Sequence, residues 1–320
     1  MPHLTSVRKD FLSVLNFDAA ELERCLELAS QLKADRPLRR EAPMANALGG
    51  RHVALLFDKP SLRTRSTFEV AIHELGGHVL SLQSEAAWGP REEATDVARN
   101  LERWVDAIVI RTFSQRRLEE FAASAPRLHV VNALTDDEHP CQALADCLTL
   151  REHWGTICGR TLAYVGDGNN VAVSLAHAAT MLGMNVHMAS PEGYHLPDKA
   201  VQQATTVARH GARLRLFSDP ADAVAGADAV YTDVWTSMGQ EAEASERRVD
   251  FAAYQVDAAL MAAAAPGALF MHCLPAHRGE EVEADVIDGP HSVVWDEAEN
   301  RLHAQKALME YLLLGKVEAK

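Results

Sequence analysis

Residues His52–Leu82 read HVALLFDKPSLRTRSTFEVAIHELGGHVLSL. An apolar run opens the stretch, Pro60 turns the chain, and apolar residues at helical spacing follow as far as Gly76-Gly77. HVLSL then resumes strand character. Strand, helix and strand in this order predict a parallel sheet with helices on its faces. The rhythm recurs in VDAIVIR (Val105–Arg111), HVVNAL (His129–Leu134), TLAYVGD (Thr161–Asp167), NVHMAS (Asn185–Ser190), LRLFS (Leu214–Ser218), DAVYTDV (Asp228–Val234), ALFMHCL (Ala268–Leu274) and SVVWDEA (Ser292–Ala298). Helical segments fall between most of them. The expected fold class is therefore α/β: two doubly wound parallel-sheet domains of four or five strands each, joined by interdomain helices.

Working outward, Ala19–Lys33 places Leu22, Cys25, Leu26 and Ala29 on one helical face. A helix over His139–Trp154, stopped by Gly155, connects the two halves, and a last helix over Arg301–Leu314 closes the chain. The expected domains are 1–138 and 139–300, the second beginning with the connecting helix 139–154. No internal repeat and no low-complexity linker separates them.

At 320 residues the chain has room for about two domains of about 150 residues. Hydrophobic residues make up 48% and charged residues 24%, which excludes collagen-like, low-complexity and disulfide-scaffold classes. The net charge of −14 repels a phosphate backbone, so no nucleic-acid partner is expected. An anionic substrate would need local positive groups working against that field. Cys25, Cys141, Cys147, Cys158 and Cys273 are odd in number, form no CxxC pair and match no zinc ribbon. Reduced thiols, no signal-peptide stretch and no apolar run of membrane-spanning length lead to the expectation of a soluble, cytoplasmic protein without membrane contact.

Several strand ends carry polar chemistry. Phe57–Glu69 reads FDKPSLRTRSTFE, with Ser61, Arg63 and Thr64 where a helix begins. Unpaired amides, the helix dipole, hydroxyls and a guanidinium fork all favour a phosphate there. Plain helix capping beside a solvated edge is the alternative. In His139-Pro-Cys-Gln142, Pro140 suits the first helical turn, so His139 stands at the helix entry with Gln142 one turn on. Such a pair can hold a carbonyl and an amide, or His139 simply closes a helix. His272-Cys-Leu-Pro-Ala-His-Arg278 follows an apolar run. Pro275 forbids helix and permits a cis bond that would turn the Leu274 carbonyl outward. Cys273 is open to three readings: nucleophile, hydrogen-bond partner or inert thiol. Asp233-Val-Trp-Thr-Ser-Met-Gly-Gln240 offers a carboxylate for an ammonium, or is an ordinary acidic loop. YVGDGNN (Tyr164–Asn170) is half of a glycine-rich nucleotide turn, with Val171 where continuation would be needed.

Taken in order, Ser61-Leu-Arg-Thr-Arg65, Arg111-Thr-Phe, His139-Pro-Cys-Gln142, Asp233 with Ser237-Met-Gly239, His272-Cys-Leu-Pro275 and Glu299-Asn-Arg-Leu-His303 resemble the ornithine carbamoyltransferases of the aspartate/ornithine carbamoyltransferase superfamily. The resemblance runs from about residue 4 to residue 315. It implies a carbamoyl-phosphate domain over 1–138 on which the terminal helix, 301–320, packs back, an ornithine domain over 139–300, and a homotrimer or assembly of trimers. It also implies that Ser61, Leu62 through its backbone, Arg63 and Thr64 hold the phosphate, with Arg111 bridging phosphate and carbonyl. His139 would bond the carbonyl oxygen, while Gln142, the Leu274 carbonyl and Arg301 fix the carbamoyl group. Asn170, Asp233, Ser237 and Met238 would hold ornithine, with Asp233 and Cys273 near the attacking amine and Cys273 also beside carbamoyl phosphate. Arg111, His139, Asp233 and Cys273 are thus the implied catalytic residues.

The implied reaction carries the carbamoyl group to the δ-amine of ornithine in arginine biosynthesis, giving citrulline and phosphate, with no cofactor and no metal. Leu62 departs from the commoner Ser-Thr-Arg-Thr-Arg pattern, and leucine there also occurs in acetylornithine and succinylornithine relatives. The loop Gln83–Glu92 offers no clear counterpart of the glutamine that a neighbouring subunit often supplies; Trp88 falls there, and no role is transferred to it. Transfer to N-acetyl- or N-succinylornithine, and a noncatalytic α/β binding protein, are the competing readings.

Overall fold

The computed structural model describes residues 9–84, 92–237 and 239–315. In chain order the elements are α1 (Ala19–Asp35), β1 (His52–Phe57), α2 (Leu62–Glu74), β2 (His78–Leu82), α3 (Ala94–Leu101), β3 (Ala107–Arg111), α4 (Gln115–Ser124), β4 (His129–Leu134) and α5 (Pro140–Trp154). There follow β5 (Thr161–Val165), α6 (Asn170–Met181), β6 (Asn185–Ala189), α7 (Asp198–Val207), β7 (Leu214–Phe217), α8 (Pro220–Val224), β8 (Ala229–Thr232), α9 (Ala244–Asp250), α10 (Ala258–Ala263), β9 (Leu269–His272), α11 (Ala284–Ile287) and α12 (Val294–Leu314). The chain divides into two compact units. Unit 1 gathers the described residues up to Leu144 together with those from Arg301 on; unit 2 is Ala145–Asn300.

Unit 1 holds a four-stranded sheet in the order β2-β1-β3-β4, and unit 2 a five-stranded sheet in the order β7-β6-β5-β8-β9. Every strand pairing is parallel. A parallel strand covered on both faces needs apolar residues at every position. β3 shows it: Ala107, Ile108, Val109 and Ile110 are fully buried, and Arg111 ends the strand at its rim. In unit 1, α3 and α4 turn Val97, Leu101, Leu118 and Phe121 onto Leu56, Ile108, Ile110 and Val130. In unit 2, Val165, Val230 and Phe270 pack with Trp235, Phe251 and Val286. Each large side chain so buried contributes about 1.5–3 kcal/mol. The strand order reverses between β1 and β3 in unit 1 and between β5 and β8 in unit 2. Open α/β sheets bind ligands outside the carboxyl ends of strands at such points.

Three expectations are corrected. The run SVVWDEA is no strand. Ser292 makes only an isolated bridge to Phe270, and helix α12 starts at Val294, earlier than the expected Arg301. Val293 and Val294 are too short an apolar pair to sustain a ladder, and Asp296 and Glu297 fall in a first helical turn, where the dipole favours carboxylates. The division between units also falls after Leu144, inside α5, not after residue 138. The first turn of α5 is tied to unit 1, since the Cys141 thiol donates to the Asn132 carbonyl at 3.4 Å. His139 and Gln142 therefore belong to unit 1.

Candidate active site

In unit 1 the polar groups converge at the carboxyl ends of β1 and β3. Ser61 is the N-cap of α2, in extended conformation, and its hydroxyl makes no capping hydrogen bond. The first amides of a helix have no partners within it, so the start of α2 presents donors to an anion. Leu62 is 78% exposed and occupies this rim through its backbone; Arg63 is half-buried beside it. Thr64 is buried, and its hydroxyl oxygen accepts from Arg301 Nη2 at 2.7 Å. Arg301, itself buried, also donates through Nη1 to Gln142 Oε1. A guanidinium has donors only, so it compels both partners to accept. Thr64 is thereby left with its O–H to give to a ligand.

Arg111 is the last residue of β3, in register with Phe57. His139 immediately precedes α5, and its carbonyl accepts from Gln142 N at 3.0 Å. Both side chains are buried. Burial, then the charges of Arg301 and Arg111, hold the His139 imidazole well below the usual 6.5. At neutral pH it is an uncharged ring with one N–H to donate. Sequence reading missed Lys59, which is buried under the same rim, 4.2 Å from the Phe113 ring centre, and donates to Asp136 at 2.6 Å.

In unit 2 the corresponding ends carry the opposite charge. Asp233, just after β8, is 6% exposed. Its Oδ2 accepts from Asn169 Nδ2 at 2.8 Å, and its Oδ1 from Cys273 Sγ at 3.0 Å and from Val234 N at 2.8 Å. Asn169 is the N-cap of α6; its Oδ1 accepts from the amides of Val171 and Ala172 and from the Tyr164 hydroxyl. That capping fixes the amide so that its NH2 end faces Asp233. Burial and the neighbouring Asp233 carboxylate push the Cys273 thiol well above 9, which keeps it protonated and poorly nucleophilic.

Asn170, named by the resemblance, is the first residue of α6 and half-buried. Asn169, one position earlier, is the side chain that reaches Asp233. Only the cap geometry distinguishes the two. Gly168 is explained by a close approach and not by a phosphate: a Cβ there would lie 2.5 Å from the backbone of His195 and Leu196. Leu274 is linked to Pro275 by a cis peptide bond and has φ of 57°, with its amide donating to His272 Nδ1 at 2.9 Å. Ser237 is half-buried, and its amide donates to Gln240 Oε1 at 3.1 Å. Met238, Trp88 and most of the Gln83–Glu92 loop lie outside the described residues.

Arg247 was not legible in the sequence. It is buried, donates to Asp167 at 2.7 Å and to the Trp235 carbonyl at 2.9 Å, and so braces the loop after β8. The structure also gathers two sets of donor atoms, one joining Asp233 to the distant His272-Cys273 pair and one local to residues 277–281. Asp233, His272 and Cys273 bring one ligand atom each within 4.8 Å, as do His277, Glu280 and Glu281. Either set has the chemistry to hold a divalent cation.

Known proteins bear on this arrangement. The family model for the aspartate/ornithine carbamoyltransferase carbamoyl-P binding domain matches residues 9–152, and that for the Asp/Orn binding domain matches residues 158–312. An ornithine carbamoyltransferase of Symbiobacterium thermophilum is 53% identical, over 95% of this chain and 98% of that protein. One of Paracidovorax citrulli is 50% identical, over 97% of each. The solved ornithine carbamoyltransferase of Pyrococcus furiosus superposes with a TM-score of 0.91 at 48% identity, covering 98% of this chain and 99% of that one. With both family models matched in order and full-length relatives at about half identity, the chain belongs to the aspartate/ornithine carbamoyltransferase family.

Proposed function

We propose that the protein transfers the carbamoyl group of carbamoyl phosphate to the δ-amine of L-ornithine, giving L-citrulline and phosphate. Unit 1 takes the donor and unit 2 the acceptor. The observation that carries this reading is Asp233: a nearly buried carboxylate at the β8 end, already holding an amide and a thiol, and suited to an ammonium.

Phosphate sits at the start of α2 on Ser61, the Leu62 amide, Arg63 and Thr64. Arg111 bridges phosphate and carbonyl, while Gln142, Arg301 and the Leu274 carbonyl orient the carbamoyl group. An alkyl amine has a pKa of about 10, so only about 1% is neutral at pH 8. The neutral fraction attacks the carbonyl carbon and builds charge on its oxygen. Arg111, neutral His139 and the Thr64 O–H stabilise that oxyanion. The carbon–oxygen bond to phosphate then breaks, the proton lost by the attacking amine passes to the departing phosphate oxygen, and the resulting hydrogen phosphate dianion is met by Arg63 and the helix terminus. Asn170, Asp233, Ser237 and Met238, with Asn169 added by its bond to Asp233, hold the ornithine head group. The protonated Cys273 is a hydrogen-bond donor to Asp233, so direct attack by the amine needs no carbamoyl-enzyme.

On the resemblance to the family, we read the protein as a cytoplasmic homotrimer or assembly of trimers in arginine biosynthesis. Among the described residues no helix is long and apolar enough to cross a membrane.

N-acetyl- or N-succinylornithine is the second reading, favoured by Leu62 alone. The test compares kcat/KM for ornithine, N-acetylornithine and N-succinylornithine by citrulline-type product formation. Acylation removes the charge that Asp233 pairs with and strands a buried acceptor, worth about 1–3 kcal/mol or more. Ornithine should lead by about a hundredfold. Parity with either acylated amine transfers the assignment to the second reading.

A further inference from the structure

Unit 1 contains a recess, lined by charged and apolar side chains, that the transfer reaction does not use. It is a cavity of about 570 Å³ between the end of α1 with the turn that follows it, the end of α2, and Lys306 of α12. Four cationic side chains, Arg36, Arg39, Arg40 and Lys306, face two carboxylates, Asp35 and Glu74. Glu74 is already satisfied. It accepts from Arg36 at 3.1 Å and from Lys306 at 3.0 Å, and these partners outweigh its burial and lower its pKa. Asp35 accepts from Gln31 at 3.0 Å. Arg39 and Arg40 remain. Neither guanidinium has an ion-pair or hydrogen-bond partner among the described residues, and both are exposed. Arg39 moreover holds a φ of 55°, a region that arginine seldom occupies. In a chain of net charge −14, an uncompensated arginine pair over a recess of ligand size is an electrostatic exception.

We propose that this cavity binds a small organic polyanion, with at least two clustered phosphate or carboxylate groups, at a site separate from the carbamoyl-phosphate cradle. Two planar forks suit paired anionic oxygens and reward a monoanion little. Leu32, Ala42 and Met44 supply an apolar wall for the carbon frame of such a molecule. The separation follows from α2 itself. Thr64, in the cradle, opens the helix, whereas His73 and Glu74, in the cavity, close it. Ten residues of helix place them about 15 Å apart along its axis.

Calorimetric titration of the full chain with inorganic pyrophosphate, and separately with citrate, provides the test. The wild-type protein should bind at least one of the two probes at this site. R39Q/R40Q should weaken that binding at least tenfold while leaving kcat for citrulline formation unchanged, and R39K/R40K should restore part of it. Arg63→Ala, which disables the cradle, should retain it. Binding of pyrophosphate alone assigns the site to phosphates, and binding of citrate as well extends it to carboxylates. Equal affinity in the wild type and R39Q/R40Q overturns the proposal, as does loss of all binding in Arg63→Ala or no binding of either probe.

Discussion

The two strand-end clusters solve opposite electrostatic problems with the same architecture. Each sits where a parallel sheet reverses its strand order. In unit 1, Arg301 and Arg111 surround His139, and burial acts with those charges to keep the imidazole neutral. In unit 2, burial and Asp233 keep the Cys273 thiol protonated, and burial raises Asp167 against the pull of Arg247. Both clusters thus arrive at uncharged hydrogen-bond donors, one by depressing a base and the other by raising an acid. The charge of a site is decided by three or four buried neighbours, whatever the −14 of the chain as a whole.

Arg63→Ala would break the comparison most severely, because it removes the guanidinium beside the start of α2. Charge-assisted hydrogen bonds are worth about 1.5–3 kcal/mol each, so carbamoyl-phosphate affinity should fall about 10²- to 10³-fold by calorimetry while the circular dichroism stays native. Unchanged affinity in a folded variant removes Arg63 from the cradle. His139→Leu should lower kcat about a hundredfold, the usual loss for one oxyanion donor. It also tests the depressed pKa. Below about pH 6.5 the unfolded chain takes up a proton that native His139 refuses, so wild-type stability falls as pH drops through that region. The variant should lose this part of the acid limb. An identical limb, or an imidazolium seen by nitrogen NMR at pH 7, contradicts the neutral donor.

On the acidic side the effects are smaller. Asn169→Ala should raise KM for ornithine about tenfold and cost about 1 kcal/mol of stability through the lost cap. Asn169→Asp keeps a capping oxygen but sets a carboxylate against Asp233. It should therefore raise KM and, through like-charge repulsion, lower the melting temperature despite the retained cap; a normal KM would show that the Asn169–Asp233 bond is only structural. Cys273→Ser should change kcat by less than tenfold. Mass spectrometry after incubation with carbamoyl phosphate alone should find no adduct; a turnover-competent carbamoyl group on Cys273 would reverse its role.

Much of this fold was legible because strands buried on both faces must be apolar throughout, and HVALLF or AIVIR leaves little else to choose. The misread segment 292–298 fails for the same reason. Val293 and Val294 look extended in isolation, and only the acidic first turn and the continuous helix beyond reveal α12. The proposed cradle residues could be named from motifs because each motif is local to one strand end. What holds them is not local. Thr64 meets Arg301 across 237 positions, and Arg247 meets Asp167 across 80, and no periodicity encodes such a pairing. Asn169 and Asn170 are indistinguishable as letters; the capping position separates them in space.

That long reach between Thr64 and Arg301 bears on how the protein is made. The sheet of unit 1 is fully synthesised by Leu134, yet its cradle cannot close until Arg301 has emerged, after all of unit 2. At the usual pace of translation, about 5–20 residues per second, the nascent sheet waits on the order of 10–30 s with the seat of α12 uncovered. Unit 2, drawn from one continuous stretch, meets no such delay. The buried contacts awaiting Ala304, Leu308 and Leu312 are then open apolar surface, which nascent-chain chaperones bind. Truncations ending at Asn300 should consequently be held by chaperones through unit 1 and spared through unit 2.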